Sequence, residues 1–112
     1  MTQGDKELLL KDLCARLPYE VKVKFYDHWV DEYEIIPLTA KLLADTVYIG
    51  DIKPYLFPLS SMTEEQKEDM IKSSCGIGSD KNVFDWYNKN HFDYRNLIDK
   101  NLAIDCTNLN IY

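Results

Sequence analysis

The pattern of apolar and polar residues predicts a helix at the start of the chain. In GDKELLLKDLCARLP the leucines recur at the spacing of one helical face, and Asp5 precedes them as the expected N-cap. Lys11 and Asp12 fall on the opposite side, which is expected to face solvent. Pro18 ends the helix, because the residue before a proline avoids the helical region of backbone space.

Strict alternation follows in the segment YEVKVKFYDHW. Val21, Val23 and Phe25 point to one side of an extended chain, and Lys22 and Lys24 point to the other. This alternation is typical of a strand with one buried face and one solvated face.

The segment YEIIPLTAKLLA is expected to supply a partner strand. Glu32 and Glu34 would then lie opposite Lys22 and Lys24, and Pro37 would place this strand at an edge of the sheet, because proline donates no ladder hydrogen bond. TVYIG and IKPYLFPL provide two more short extended segments. Together they predict a small, twisted antiparallel sheet, which could curl into a partly closed barrel.

The stretch KPYLFPLSSMTEEQKEDM turns from apolar to charged, and we interpret the border as the junction of a strand and a helix. Thr63 and Gln66 have the Thr-x-x-Gln spacing of a capping box. A further helix is expected in VFDWYNKNHF, and an irregular tail follows whose last residues, Ile111 and Tyr112, are expected to dock on the rest of the chain. The predicted fold class is α+β: an N-terminal helix, a small twisted antiparallel sheet, C-terminal helices and the irregular tail.

Length and composition indicate a single domain that spans residues 1–112. Hydrophobic residues make up 46% of the chain and aromatic residues 12%, enough to form a core without a metal or a disulfide. Cys14, Cys75 and Cys106 are odd in number and far apart, which indicates free thiols in the reducing cytoplasm. Neither a signal segment nor an apolar run long enough for a bilayer is present, so we expect a cytoplasmic protein without a membrane partner.

The net charge of the chain bears on whether it binds nucleic acid. The formal net charge is −6, and no basic tail or cluster stands out, so the charge balance disfavours nucleic acid as a partner. The alternative is a nucleic-acid-binding regulator that uses the sheet face of Lys22 and Lys24, with Tyr26 in the same row, although Glu20 shares that row.

Candidate catalytic and metal-binding residues form no recognisable motif. Asp85, His91 and Asp93 have the spacing Asp-x5-His-x-Asp, which matches no common zinc or calcium site. Cys75 precedes a Gly-Ile-Gly loop, and a small hydrolase that pairs Cys75 with His91 is a third hypothesis. We predict no catalytic residue, no metal site and no cofactor.

KPYLFPLSSMTEEQKEDM and DWYNKNHFDYRNLIDKNLAIDCTNLNIY resemble segments of a large group of short proteins encoded by gut-dwelling anaerobic bacteria and their phages. The resemblance covers residues 53–112. It implies a small accessory protein that acts by contact, and it transfers no catalytic residue because no function is known for the group. Related chains often have glycine where Asn96 ends the segment DYRN, so the resemblance implies a turn with positive φ there.

Aromatic residues concentrate in these same two segments. A small sheet that packs against helices needs large rings, so most of them are expected to lie in the core. The alternative is a partly exposed aromatic patch, and Tyr, Trp and Arg are the usual anchors of protein interfaces. We therefore predict a non-enzymatic interaction protein that binds an unknown protein partner or itself. The residues predicted for this surface are Tyr55, Phe57, Trp86, Tyr87, Phe92, Tyr94 and Arg95.

Overall fold

The structure is a computed structural model that describes residues 2–45, 49–73 and 79–112. Helices and a small sheet confirm the predicted α+β class. The sheet is mixed and open, so the predicted antiparallel pairing holds for only part of it, and the sheet does not close into a barrel. The elements are α1 (Gln3–Arg16), β1 (Lys22–Asp27), β2 (Glu32–Pro37), α2 (Ala40–Asp45), β3 (Ile52–Pro58), α3 (Glu64–Ser73), α4 (Ser79–Lys89), β4 (Phe92–Asp93) and β5 (Ile104–Asp105).

Helix α1 begins one turn earlier than its leucine pattern suggests. Its N-cap is Thr2 and not Asp5: Thr2 Oγ1 accepts a hydrogen bond from the Asp5 N–H at 3.1 Å, and the Asp5 carboxylate accepts one from the Thr2 N–H at 3.4 Å. These reciprocal bonds form a capping box. Leu9 and Leu13 are buried, as their helical spacing predicts.

Strand β2 is the edge of the sheet, as Pro37 predicts, but its register differs from the expected one. Lys24 lies opposite Ile35, and Glu34 lies opposite Phe25. The glutamates of β2 therefore lie on the other face from the lysines of β1. A cross-strand ion pair contributes only a few tenths of a kcal/mol, so the turn of residues 28–31 and the apolar pattern determine the register.

Strand β3 lies at the centre of the sheet. It pairs antiparallel with β1, and the two-residue strands β4 and β5 run parallel to it. The Phe57 N–H donates to the His91 carbonyl at 2.8 Å, and the Cys106 N–H donates to the Leu56 carbonyl at 3.0 Å. Long connections lead to both short strands, and parallel pairing requires such connections.

The core lies on one face of the sheet, against α1 and the segments that follow α4. Val21 and Val23 are fully buried, and Phe25 packs at the margin of the core, as the alternation of β1 predicts. The buried apolar residues of this cluster are Leu9, Leu13, Val21, Val23, Leu38, Ile52, Leu56, Leu97, Leu102 and Ala103.

Two local features expected in the second half of the chain, a helix cap and a turn, are present in the structure. Thr63 Oγ1 accepts from the Gln66 N–H at 3.2 Å, and the Gln66 side chain accepts from the Thr63 N–H at 2.8 Å, so α3 has its capping box. Asn96 has a φ of 59°, the positive value expected there. The carboxylate of Asp93 accepts hydrogen bonds from the backbone of this turn, at Leu97 and Ile98.

Candidate interaction surface

The aromatic residues predicted as an interaction surface lie around β3, β4 and α4, where much of their area is packed. Trp86 and Phe92 stack with ring centroids 5.5 Å apart and an angle of 10° between their planes. The Trp86 indole N–H donates to Asp69 Oδ2 at 2.7 Å. Tyr55, Trp86 and Phe92 are buried, and the members that keep some exposure are Phe57, Tyr87, Tyr94 and Arg95.

Phe57 lies on β3 against Phe92 and Tyr112, and the other exposed members form a strip beside α4. Phe84, half exposed, stacks on Tyr94 at 5.2 Å, and Tyr87 stacks on the same ring at 5.5 Å. Arg95 lies over the Tyr94 ring with its guanidinium carbon 4.8 Å from the centroid. These rings already have partners within the chain, and their role as a docking surface stays a prediction.

Beneath this strip lies a buried ion pair that sequence reasoning missed. Asp12 was expected to face solvent, and that expectation was wrong, because its side chain is fully buried. Asp12 Oδ2 accepts from Arg16 Nε at 2.8 Å, and Arg16 Nη2 donates to the Phe92 carbonyl at 2.6 Å. Arg95 Nε lies 3.2 Å from Asp12 Oδ1, a charge contact without hydrogen-bond alignment. The i, i+4 spacing of Asp12 and Arg16 was the available signal.

The C-terminal residues dock on the outer face of the sheet, which is the face that carries Lys22 and Lys24 and lies opposite the core. Docking was expected because the chain ends in apolar residues. The Tyr112 hydroxyl accepts from the Lys22 N–H at 2.9 Å and donates to the Tyr55 carbonyl at 2.8 Å, so it bridges β1 and β3. The Tyr112 ring stacks on His91 at 3.8 Å with an angle of 11°. Burial, helped by the positive charge of Arg16, lowers the pKa of His91 to about 4.

This docking separates the two lysines that sequence analysis grouped as a nucleic-acid-binding face. The Lys22 ammonium group donates to the Ile111 carbonyl at 2.8 Å and is held by the tail. Lys24 lies farther along β1, with its ammonium nitrogen 4.3 Å from the centroid of the Tyr33 ring. The outer face therefore has two halves. The covered half, around Lys22, lies under the tail, and the open half, around Lys24, does not.

The open half contains a cleft of about 460 Å³. Lys24 and Lys53 are cross-strand neighbours there, and Tyr26 and Tyr33 contact each other edge to face at 4.9 Å. At the end of the cleft, His28 Nε2 lies 2.7 Å from a carboxylate oxygen of Asp51. The side chains that line the cleft are Lys24, Tyr26, His28, Tyr33, Asp51, Lys53 and Ile104.

The β1–β2 hairpin extends beyond this cleft and ends in a tryptophan. Asp27 accepts a hydrogen bond from the Trp29 N–H at 2.9 Å, and Asp31 closes the turn with a φ of 54°. The Trp29 side chain is 97% exposed, and Val30 beside it is 55% exposed. Sequence reasoning missed Trp29, although an aromatic residue in a short polar turn is a visible signal.

Strand β2 has an outer edge whose backbone groups pair with no strand of the described ranges. Within the described ranges it has a neighbouring strand on one side only. The Leu38 N–H donates to the Val21 carbonyl, and hydrogen-bonded and non-bonded pairs alternate along an antiparallel ladder. Tyr33 and Ile35 therefore direct their N–H and C=O groups outward, and both side chains are exposed as well.

The candidate catalytic residues do not form a nucleophilic site in the part of the chain that is described. Burial raises the pKa of Cys106 to about 11, which disfavours its thiolate. Cys75 and the Gly-Ile-Gly loop lie outside the described residues. Of the Asp85, His91 and Asp93 set, the Asp93 carboxylate is engaged by backbone N–H groups.

The described ranges contain no cluster of three or more His, Cys, Asp or Glu side chains that could hold a metal ion. Within the same ranges, no helix is both long and apolar enough to cross a membrane. No protein-family profile, curated protein or solved structure matches this chain.

Proposed function

We propose that this protein is a non-enzymatic interaction protein whose contact surface is the β1–β2 hairpin. The observation that carries the proposal is Trp29, which is 97% exposed beside the β2 edge that has no neighbouring strand among the described residues. Solvent exposure of so large a ring gives the folded chain no hydrophobic stabilisation, whereas its burial against a partner would. Tryptophan is also among the residues that most often dominate binding energy.

The binding mode that fits this edge is the addition of an extended segment as a further strand. Tyr33 and Ile35 offer outward N–H and C=O groups, and Pro37 ends the usable edge because it has no N–H to donate. Strand addition uses such backbone groups for affinity and alternate side chains for specificity.

The chemistry of the two faces of β2 selects the partner. Tyr33 and Ile35 lie on one face, and Glu32 and Glu34 lie on the other, where Glu32 is opposite Asp27. An added strand should therefore present apolar residues on the first face and basic residues on the second. A second copy of the chain fits poorly, because antiparallel pairing of two β2 strands would bring glutamates together.

We also propose that the protein acts in the cytoplasm. Cys14 and Cys106 are free thiols, and a reducing compartment keeps such thiols unpaired.

The test uses two synthetic peptides, one that alternates lysine with isoleucine and one that alternates glutamate with isoleucine. We expect saturable binding of the basic peptide alone, with amide NMR shifts along β2. Ile35→Pro removes one outward N–H and Trp29→Ala removes the anchor, and each should weaken binding about tenfold. Leu10→Ala, which removes an exposed apolar side chain from α1, is the matched control and should not change the affinity.

Three results would contradict the proposal. The first is equal binding of both peptides or of neither, and the second is an Ile35→Pro variant with the affinity of the original chain. The third is a dimer, measured by sedimentation without peptide, that Ile35→Pro dissociates, because a second copy would then occupy the edge.

A further inference from the structure

Two lysines line the open cleft without a counter-charge, and the ammonium group of Lys53 donates to the neutral side-chain oxygen of Asn101 at 3.4 Å. Lys24 and Lys53 are direct partners across β1 and β3, so their side chains leave the sheet on the same face. No described carboxylate lies within ion-pair distance of either ammonium group, and Asp51, the acid at the cleft, contacts His28 instead. In a chain of net charge −6 this arrangement is not explained by a shortage of acids. An anion between the two lysines would relieve their repulsion.

Aromatic rings stand next to this positive charge. Tyr33 is 63% exposed and forms one wall of the cleft, and its ring lies under the Lys24 ammonium group. Tyr26 contacts Tyr33 edge to face, with an angle of 60° between the ring planes. A ligand that combines a planar ring with an anionic group would match both features.

The Tyr26 ring is held in place by contacts within the chain, without any ligand. The edge of Tyr26 packs on the His28 imidazole with centroids 4.6 Å apart, and Asp51 holds that imidazole through a 2.7 Å contact. Such preorganisation reduces the entropy that binding would otherwise cost. The His28 and Asp51 pair is thus a positioning element for the ring.

We propose that this cleft binds a nucleoside phosphate, with the phosphate between Lys24 and Lys53 and the base against Tyr26 and Tyr33. The unit is either a free nucleotide or one nucleotide of a single strand, since both present the same ring and anion. The cleft volume of about 460 Å³ lies within the range of small-ligand sites. The proposal is independent of peptide binding at β2, with which it shares only Tyr33.

The test measures binding of four probes at low salt by calorimetry: adenosine monophosphate, adenosine, inorganic phosphate and a short single-stranded oligonucleotide. We expect the monophosphate to bind about tenfold or more tightly than adenosine or phosphate alone. Lys53→Ala should weaken that binding about tenfold. Lys22→Ala is the matched control, because Lys22 contacts the Ile111 carbonyl outside the cleft, and it should leave the affinity unchanged.

The oligonucleotide distinguishes the two sources. If the oligonucleotide binds more tightly than the monophosphate, the ligand is a single strand. If it binds equally or more weakly, the ligand is the free nucleotide. Either result supports the site. Tyr33→Leu, which keeps an apolar side chain but removes the ring, should reduce the advantage of the monophosphate over phosphate. Absence of saturable binding by every probe would overturn the proposal, as would equal effects of Lys53→Ala and Lys22→Ala.

Discussion

The two halves of the outer sheet face are built from the same residue types and have opposite environments. In one half Lys22 and Tyr55 are covered by Tyr112, whose hydroxyl bonds to both of their backbones. In the other half Lys24 and Tyr26 line an open cleft. Alternation along a strand determines which face a side chain occupies, but a distant segment of the chain determines whether that face meets solvent.

This difference separates residues that stabilise the fold from residues available for binding. The rings of the covered half stack on each other and lie near a buried ion pair, so their removal should cost stability. The rings of the open half and of the hairpin contact water, and their removal should cost little. An exposed apolar group that contributes little to folding is the feature expected of a contact surface.

The largest effect is expected from Asp12→Ala, in the buried ion pair that lies beneath the α4 strip and near the covered half. This substitution leaves the fully buried Arg16 guanidinium without its carboxylate, and breaking such a pair costs about 3–5 kcal/mol of unfolding free energy. Urea denaturation followed by circular dichroism measures the change. Glu7→Ala is the control, because Glu7 is exposed on the same helix, and it should change the unfolding free energy by less than about 0.5 kcal/mol. Equal effects of the two variants would show that the Asp12 and Arg16 pair is solvated in solution.

The second effect concerns the tail that divides the two halves. Tyr112→Ala removes the ring stacked on His91 and the hydroxyl that bridges β1 and β3. We expect a loss of about 2 kcal/mol in unfolding free energy, less than for a fully buried ring because Tyr112 is partly exposed. Tyr33→Ala, the matched change in the open half, should leave the denaturation midpoint unchanged. A larger loss for Tyr33→Ala would reverse the comparison.

The sequence predicts the features that depend on neighbouring residues. The helix of α1, the sidedness of β1, and the capping box of Thr63 and Gln66 are each encoded within a few positions. Such signals are strong because the interacting groups are held close together along the chain.

Features that depend on distant contacts could not be predicted in this way. Asp12 looks solvated on a helical projection, and it is buried because Arg95 and the chain around Phe92 cover it. Tyr112 was expected to dock, but only the folded chain reveals that it covers Lys22 and leaves Lys24 open. The candidate surface thus moved from the C-terminal aromatic residues to the hairpin because packing used most of the former.

The third prediction uses pH to test the covered half. The pKa of His91 is about 4 in the folded chain against an ordinary value of 6.5, so between these values the unfolded chain binds a proton that the folded chain does not. Stability should therefore fall as the pH decreases from 6.5 to 4, and His91 should contribute no pH dependence above that window.

The comparison is between the original chain and His91→Asn, because asparagine tolerates the φ of 64° at this position. The difference between their unfolding free energies should be constant above pH 6.5 and should shift against the original chain as the pH falls towards 4. Carboxylates titrate in both proteins and largely cancel in the difference. Parallel pH profiles would show that His91 is solvated and that the tail does not cover it.

The smallest effect on stability is expected at the tip of the hairpin. Trp29 is 97% exposed, so Trp29→Ala removes almost no buried area and should leave the urea midpoint unchanged. It should also remove the tryptophan emission that acrylamide quenches readily, because the remaining Trp86 is buried and bonded to Asp69. A lower midpoint, or quenching that the substitution does not reduce, would mean that Trp29 packs against the body of the protein in solution. The hairpin would then resemble the covered half, and the argument for its role in binding would fail.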